Sequence, residues 1–411
     1  MRFFRALLVA VALTLPTTAV AAPPEPPGWT AAWTTSPHPP SKAFVPNWAE
    51  TGFANHTLRQ SIRVSEGGEA TRVRLTNRYG ATPLVVSGAT IARTASGADI
   101  RPETLRPLTV GGAGAFTIAP GADIATDAAA LRIAPFESLT VTLYLAEPTG
   151  PATQHAQAFA TAYRATGDHR GDAGGAAFGE NTPSWYYLAG VDVLNAAPRR
   201  TGVVAFGDSF TDGVGSTPGT DHRFPDELAE RLAAEGVPRA VLNQGIGGNR
   251  VTIDSSWLGD SAQRRFRRDV LDQPGIGTVI ILEGINDIGL SAGAADVGEP
   301  AVPVSAAQLI DGHRDLIRQA HAQGLRVIGA TLPPIQGSPY DSPSADAKRV
   351  ALNEWIRTAG EYDAVADMDA ALADPADRHR LNPDFDSGDH LHVNDAGAAA
   401  MAAAINPADL A

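Results

Sequence analysis

The feature that most constrains this chain is a change of pattern near Asn195-Ala-Ala-Pro-Arg-Arg200. Before it, from about residue 57, short runs rich in Val, Thr, Ile and Leu are separated by Gly, Pro, Asn and Asp, the grammar of strands and turns. Residues 61–65, 71–76, 84–87, 138–144 and 185–193 are such runs, and several alternate with period two, which turns one face inward. No helical period appears among them. The reading is an all-β, antiparallel sandwich of jelly-roll type covering residues 28–195.

After the change, strand runs alternate with helical patterns. Strands are predicted at 201–206, 240–243, 278–282 and 325–330, and helices at 223–235, 261–271, 305–323, 345–358 and 395–404. The 278–282 run is apolar throughout, as a strand buried on both faces must be. The 305–323 helix opens with Ser305-Ala-Ala-Gln308, a capping box, and Gly324 follows it. Such alternation implies a parallel sheet covered by helices over residues 196–411. Ligands bind such sheets at the carboxyl ends of the strands.

Composition limits what these two halves can be. A chain of 411 residues, 44% of them hydrophobic, can bury two cores. It contains no Cys, which excludes disulfides, thiolate metal sites and a Cys nucleophile. The start, Met1-Arg-Phe-Phe-Arg5 followed by an apolar stretch and Ala19-Val-Ala21, reads as a signal peptide over residues 1–21, so secretion to an extracellular or periplasmic space is expected. The alternative is an N-terminal membrane anchor, for which the apolar stretch is short. No other segment has membrane-spanning length. A formal net charge of −13 disfavours nucleic acid as a partner. The basic run Arg264-Arg-Phe-Arg-Arg268 is flanked by acids and is expected to be the solvated, salt-bridged face of a helix.

Four polar motifs fall where the strand-end rule places a site. Gly207-Asp208-Ser209 follows the first strand, Gly245-Ile-Gly-Gly-Asn249 the second and Gly284-Ile-Asn-Asp287 the third, while Asp389-His-Leu-His392 precedes the last helix. A Ser hydroxyl needs an adjacent base to become a nucleophile, and His has a suitable pKa. That imidazole needs an acceptor to hold its tautomer, and the anion formed by attack needs fixed donors. Other roles remain open for each residue: Ser209 as a helix cap, Asn286 and Asp287 as turn formers, and His390 as the base. Asp208, Asp212, Asp287, Asp389 and His392 could also converge on a metal ion.

Taken together from Thr201 onward, the motifs resemble the four blocks of the SGNH hydrolase superfamily, also called GDSL esterases and lipases. The resemblance implies a flavodoxin-like three-layer α/β domain with a parallel sheet and no cofactor. It implies Ser209 as nucleophile, His392 as general base and Asp389 as its orienting group. It also implies an oxyanion hole from Ser209 N–H, Gly248 N–H and the Asn286 amide, with Asp208 and Asp287 in support. One departure is Phe210, where the motif has Leu; it is expected to pack beneath the turn. The β-rich segment resembles the N-terminal region of some secreted bacterial members grouped with xylan-acting esterases. The implied substrate is a small-molecule or polysaccharide ester, such as a carbohydrate O-acetyl ester. Trp257, in the loop after the second motif, is a candidate acyl or sugar platform, with a buried packing role as the alternative. A broad short-chain esterase or lipase is the alternative. A catalytically inactive carbohydrate-binding protein, using Trp185-Tyr-Tyr187, is the alternative of a different class. Oligomeric state is not legible, and a structural Ca²⁺ in the Asp-rich loops stays open.

Overall fold

The computed structural model describes residues 28–42, 44–196, 200–293 and 299–411. The signal-peptide reading of residues 1–21 and the middle of the 195–200 junction lie outside the described residues.

Period-two alternation produces two antiparallel sheets that share one core. The first has the order Gly28–Thr34, Leu188–Asn195, Ala70–Thr76, Asp123–Ala125. The second runs Glu180–Thr182, Ala162–Thr166, His56–Arg63, Ser138–Leu145, Gly88–Ser96, Asp99–Ile100, with Arg106–Leu108 paired to Gly88–Ser96. Val73, Leu75, Val191 and Val193 from one sheet, and Leu58, Ile62, Ile91, Val141 and Leu143 from the other, belong to one buried cluster. The run expected over 185–193 is broken, because Tyr187 has φ +59 and separates Trp185–Tyr186 from Leu188–Asn195. That break sends the chain from one pairing to another, and its ring is still buried.

The second half is a five-stranded parallel sheet. In chain order its strands are Gly202–Gly207, Val241–Gly245, Ile276–Leu282, Arg326–Ala330 and Ala364–Ala366, and in space the second lies outside the first, followed by the third, fourth and fifth. Every residue of the first and third strands is buried. The fifth strand was not among those predicted, since three residues of Ala-Val-Ala carry no period. The helix expected over 305–323 spans Ala306–Ala322, and the Ser305 hydroxyl and Gln308 side chain cap it reciprocally. The helix expected over 261–271 is α-helical only at Ala262–Phe266 and widens to a π turn at Arg267–Leu271.

That widened helix corrects the reading of the basic run. Arg264 and Arg267 are exposed, but the Arg265 side chain is completely buried and the Arg268 side chain is only 16% exposed. Arg265 turns toward the sheet, where its guanidinium finds carbonyls and carboxylates that water would otherwise have to satisfy. It donates to Gly207 O at 2.7 Å, Gln244 O at 2.8 Å, Asn249 Oδ1 at 2.8 Å, Glu283 Oε1 at 3.0 Å, Asp269 Oδ2 at 3.1 Å and Ser36 Oγ at 3.2 Å. Its plane lies 4.0 Å from the Phe206 ring centre.

The two halves meet along the free edge of the parallel sheet. Val241 N–H donates to Ser65 Oγ at 3.0 Å, and the same hydroxyl donates to Val241 O at 2.9 Å, so a sandwich side chain closes an edge that would otherwise be unpaired. Ser36 Oγ donates to Gln244 Oε1 at 2.5 Å and Tyr79 OH to Asp260 Oδ2 at 2.7 Å. No helix of the described residues is long and apolar enough to cross a membrane.

Removing one member of a buried ion network leaves the others uncompensated, at a cost of about 3–5 kcal/mol. Arg265→Met is therefore expected to lower the urea midpoint strongly, whereas Arg264→Ala, on the exposed side of the same helix, leaves it nearly unchanged. Equal midpoints for the two variants would refute the importance given to Arg265.

Candidate active site

The first strand delivers its motif to the carboxyl edge of the sheet. Gly207 ends the strand, Asp208 caps a one-turn helix by accepting the Phe210 N–H at 3.1 Å, and Ser209–Asp212 form that turn. The turn lies directly across the end of the second strand. A Cβ on Gly245 would sit 2.1 Å from Asp212 N, so only glycine allows this approach.

Ser209 Oγ lies 2.9 Å from His392 Nε2, and His392 Nδ1 lies 2.6 Å from Asp389 Oδ2. The other Asp389 oxygen accepts the N–H groups of Leu391 at 2.9 Å and His392 at 2.7 Å. Burial works against the Asp389 anion, but the His392 side-chain and backbone bonds and the imidazole charge outweigh it and hold the carboxyl well below the usual range. Phe210 is buried with its ring 5.5 Å from the His392 ring, so it packs on the imidazole itself as well as filling space under the turn. His390 faces elsewhere, with Nδ1 2.6 Å from Asp386 Oδ2 in an exposed pair.

The glycine motif forms the next wall. Gly248 has φ +75, a conformation that costs L side chains dearly, and a Cβ there would meet Leu258 Cδ2 at 2.6 Å. Neither the Ser209 nor the Gly248 backbone N–H has an acceptor among the described residues. Gly247 N–H is used, donating to Asp212 Oδ2 at 3.0 Å. Asn286 Nδ2 donates one hydrogen to Asn249 O at 3.0 Å, which leaves its second for another acceptor. Its Oδ1 accepts the Tyr340 hydroxyl at 2.8 Å, which fixes the amide's orientation. Tyr340 was not among the residues read from sequence. Its position in the loop after the fourth strand, at the same edge of the sheet, was the available signal.

Beneath these groups lies a cluster of buried acids. Asp208 Oδ2, Glu283 Oε2 and Asp287 Oδ1 are buried with no partner among the described residues. Asp287 Oδ2 accepts the Val251 N–H at 2.8 Å, tying the glycine loop to the third motif. Burial, aided by mutual repulsion, raises the carboxyls of Asp208 and Glu283. Burial likewise pushes Asp287 up to about 6. Among the described residues no group of three or more His, Asp or Glu side chains is arranged to hold a metal ion. Asp212 turns instead toward His155. Trp257 is half-buried and packs against Phe44 of the sandwich, with ring centres 5.2 Å apart.

Residues 205–400 match the model of the GDSL-like lipase/acylhydrolase family. This segment is a GDSL-like acylhydrolase domain. Family membership implies carboxylic ester hydrolysis. The chain is similar to a GDSL-like lipase from Bacteroides thetaiotaomicron at 20% identity, covering 51% of this chain and 88% of that one with a TM-score of 0.38. It is similar to a lipase/acylhydrolase from Enterococcus faecalis at 21% identity, covering 49% and 91%, TM-score 0.38. A catalytic mutant of an acetylxylan esterase from Geobacillus stearothermophilus matches at 20% identity, covering 51% and 93%, TM-score 0.38. No curated protein matches the chain.

The acid cluster of this GDSL-like domain makes stability depend on pH. The folded-state pKa of Asp287 lies above its unfolded value, so its contribution is full below about pH 4 and is lost as pH rises through about 6. Asp287→Asn should flatten the fall in stability across that window, measured by urea unfolding at several pH values. An unchanged slope would refute the assignment.

Proposed function

We propose that this chain is an exported serine esterase that hydrolyses carboxylic esters through an acyl-enzyme. Ser209 is the nucleophile, His392 the general base and Asp389 its orienting carboxylate. The observation that carries this reading is the unbroken relay from Asp389 Oδ2 through both ring nitrogens of His392 to Ser209 Oγ, at 2.6 and 2.9 Å. These distances lie within the reach a nucleophile and its base require.

Asp389 accepts the Nδ1–H and leaves Nε2 free to take the Ser209 proton. As Ser209 attacks the ester carbonyl, the developing oxyanion is received by the N–H groups of Ser209 and Gly248 and the remaining N–H of Asn286. His392 then returns the proton to the leaving alcohol, and water repeats the sequence to release the acid. In this reading Asp208 and Asp287 support the loops that carry these donors.

For the substrate we propose an O-acetyl ester of a polysaccharide or its oligomers. Trp257 and Phe44 support it: both keep some ring surface exposed, and a Cβ on Gly247 would lie 3.3 Å from Phe44 Cζ, beside the proposed oxyanion glycine. Aromatic faces of this kind take the C–H face of a sugar. We further take residues 28–195 and 196–411 as two domains, the first a jelly-roll-like sandwich. The second is a flavodoxin-like layer structure, in keeping with its 2-1-3-4-5 strand order.

Ser209→Ala is expected to abolish ester turnover with an unchanged circular dichroism spectrum, and retained turnover would exclude Ser209. Asn286→Ala should lower kcat on the order of 10²- to 10³-fold. For the substrate, release of acetate from acetylated xylan is compared with hydrolysis of short- and long-chain p-nitrophenyl esters. Poor turnover of the polysaccharide beside fast turnover of the model esters would favour a broad esterase instead.

A further inference from the structure

The sandwich reaches into the active site through one buried side chain. His155, in the short strand Gln154–His155, is 4% exposed. Its Nδ1 lies 2.9 Å from Ser36 O, and its Nε2 lies 3.0 Å from Asp212 Oδ1 and 3.3 Å from Gln157 O. Two of these three partners are carbonyls, which can only accept. The third, the Asp212 carboxyl, already accepts the Gly247 N–H through its other oxygen, as an ionised carboxylate does. Both ring nitrogens therefore carry hydrogen, and the pair is an imidazolium against a carboxylate.

The surroundings suit a fixed cation. His38 stands edge-on to the ring at 5.2 Å and Trp185 lies along it at 5.6 Å. Burial, the Arg265 and Arg268 charges and His155 itself keep His38 well below its usual pKa, hence neutral. Arg223 faces Asp212 from the start of the following helix, Phe224–Ala234. Burial works against the His155 cation, yet the Asp212 charge and the hydrogen bonds to Asp212, Ser36 and Gln157 outweigh it and raise its pKa.

Asp212 occupies a particular place in this arrangement. It ends the helical turn that Ser209 begins, and its second oxygen holds Gly247, the residue before Gly248. We propose that His155 is a positioning residue for ester hydrolysis: as an imidazolium supplied by the sandwich, it clamps Asp212, and Asp212 in turn fixes the nucleophile turn and the Gly247–Gly248 loop in one geometry. The proposal rests on the reading of Ser209 as nucleophile and Gly248 as oxyanion donor. Donors help only when held within about half an ångström of where charge develops, so loosening this clamp costs transition-state binding more than substrate binding.

The test uses the full chain with p-nitrophenyl acetate and compares wild type, His155→Ala, His155→Gln and Asp212→Asn. His155→Ala should lower kcat on the order of 10²-fold with KM changed by less than about threefold, the pattern of an interaction realised in the transition state. His155→Gln, whose amide can still donate to Asp212, should recover about tenfold of that loss. In wild type, ¹⁵N spectra at neutral pH should show both His155 ring nitrogens protonated, and Asp212→Asn should remove that signature. A neutral His155 ring in wild type would overturn the proposal, even if His155→Ala fails to fold. So would a folded His155→Ala with wild-type kcat, or equal losses in the Ala and Gln variants. Retained turnover in Ser209→Ala, by contrast, would overturn the underlying active-site reading and leave the His155 spectra to be explained as packing alone.

Discussion

The buried guanidinium of Arg265 is the interaction on which the rest of this structure depends. Parallel strands leave carbonyls at their carboxyl ends, and a site built there must satisfy them without filling the space substrate needs. Arg265 does so with six donor contacts from one side chain, reaching strand ends at Gly207 and Gln244, the Asn249 knot, two carboxylates and the sandwich at Ser36. A lysine has one point of charge and could not span these acceptors. With Cys absent, no covalent link shares the task of joining the two halves.

That cation also sets the electrostatics of the floor. Glu283 and Asp269 pair with it directly, Asp208 feels it from farther off and Asp287 feels Arg250 instead, and Asp208 and Asp287 each keep one buried oxygen without a partner among the described residues. The consequence is a division of labour among acids that lie far apart in sequence. Asp389, at the rim, accepts several hydrogen bonds that hold its carboxyl well below the usual range, while the carboxyls below it are raised by burial. Charge is thus kept where the imidazolium needs it and is expensive where it is not used.

The sandwich is part of the same network. Ser65 seals the sheet edge, Ser36 bridges Gln244 and Arg265, and His155 grips the turn that carries Ser209. Phe44 stands beside the glycine loop against Trp257. The fold places the sandwich against the loops that surround Ser209, so under the proposed function a segment that carries none of the four motifs can still shape the chemistry.

Much of the fold and of the site is legible in the amino-acid sequence. Periods of two and of about 3.6 distinguished sandwich from layered domain, because each period follows from backbone geometry, and the four motifs fell at strand ends because loops there are the positions with free backbone and converging directions. The Ser305-to-Gln308 cap and the Asp389-x-x-His392 spacing are likewise local, so a window of a few residues carried them. Tertiary structure decided what local windows cannot hold: that Arg265 points inward from a run of five that looked solvated, that Tyr340 orients Asn286 from 54 residues away, and that His155 meets Asp212 across 57 residues and two sheets. Such pairings depend on which surfaces face each other once the core is packed. The physical reason is that burial, which makes a charge dear and its partner indispensable, is a property of the folded whole and is written in no single stretch of the chain.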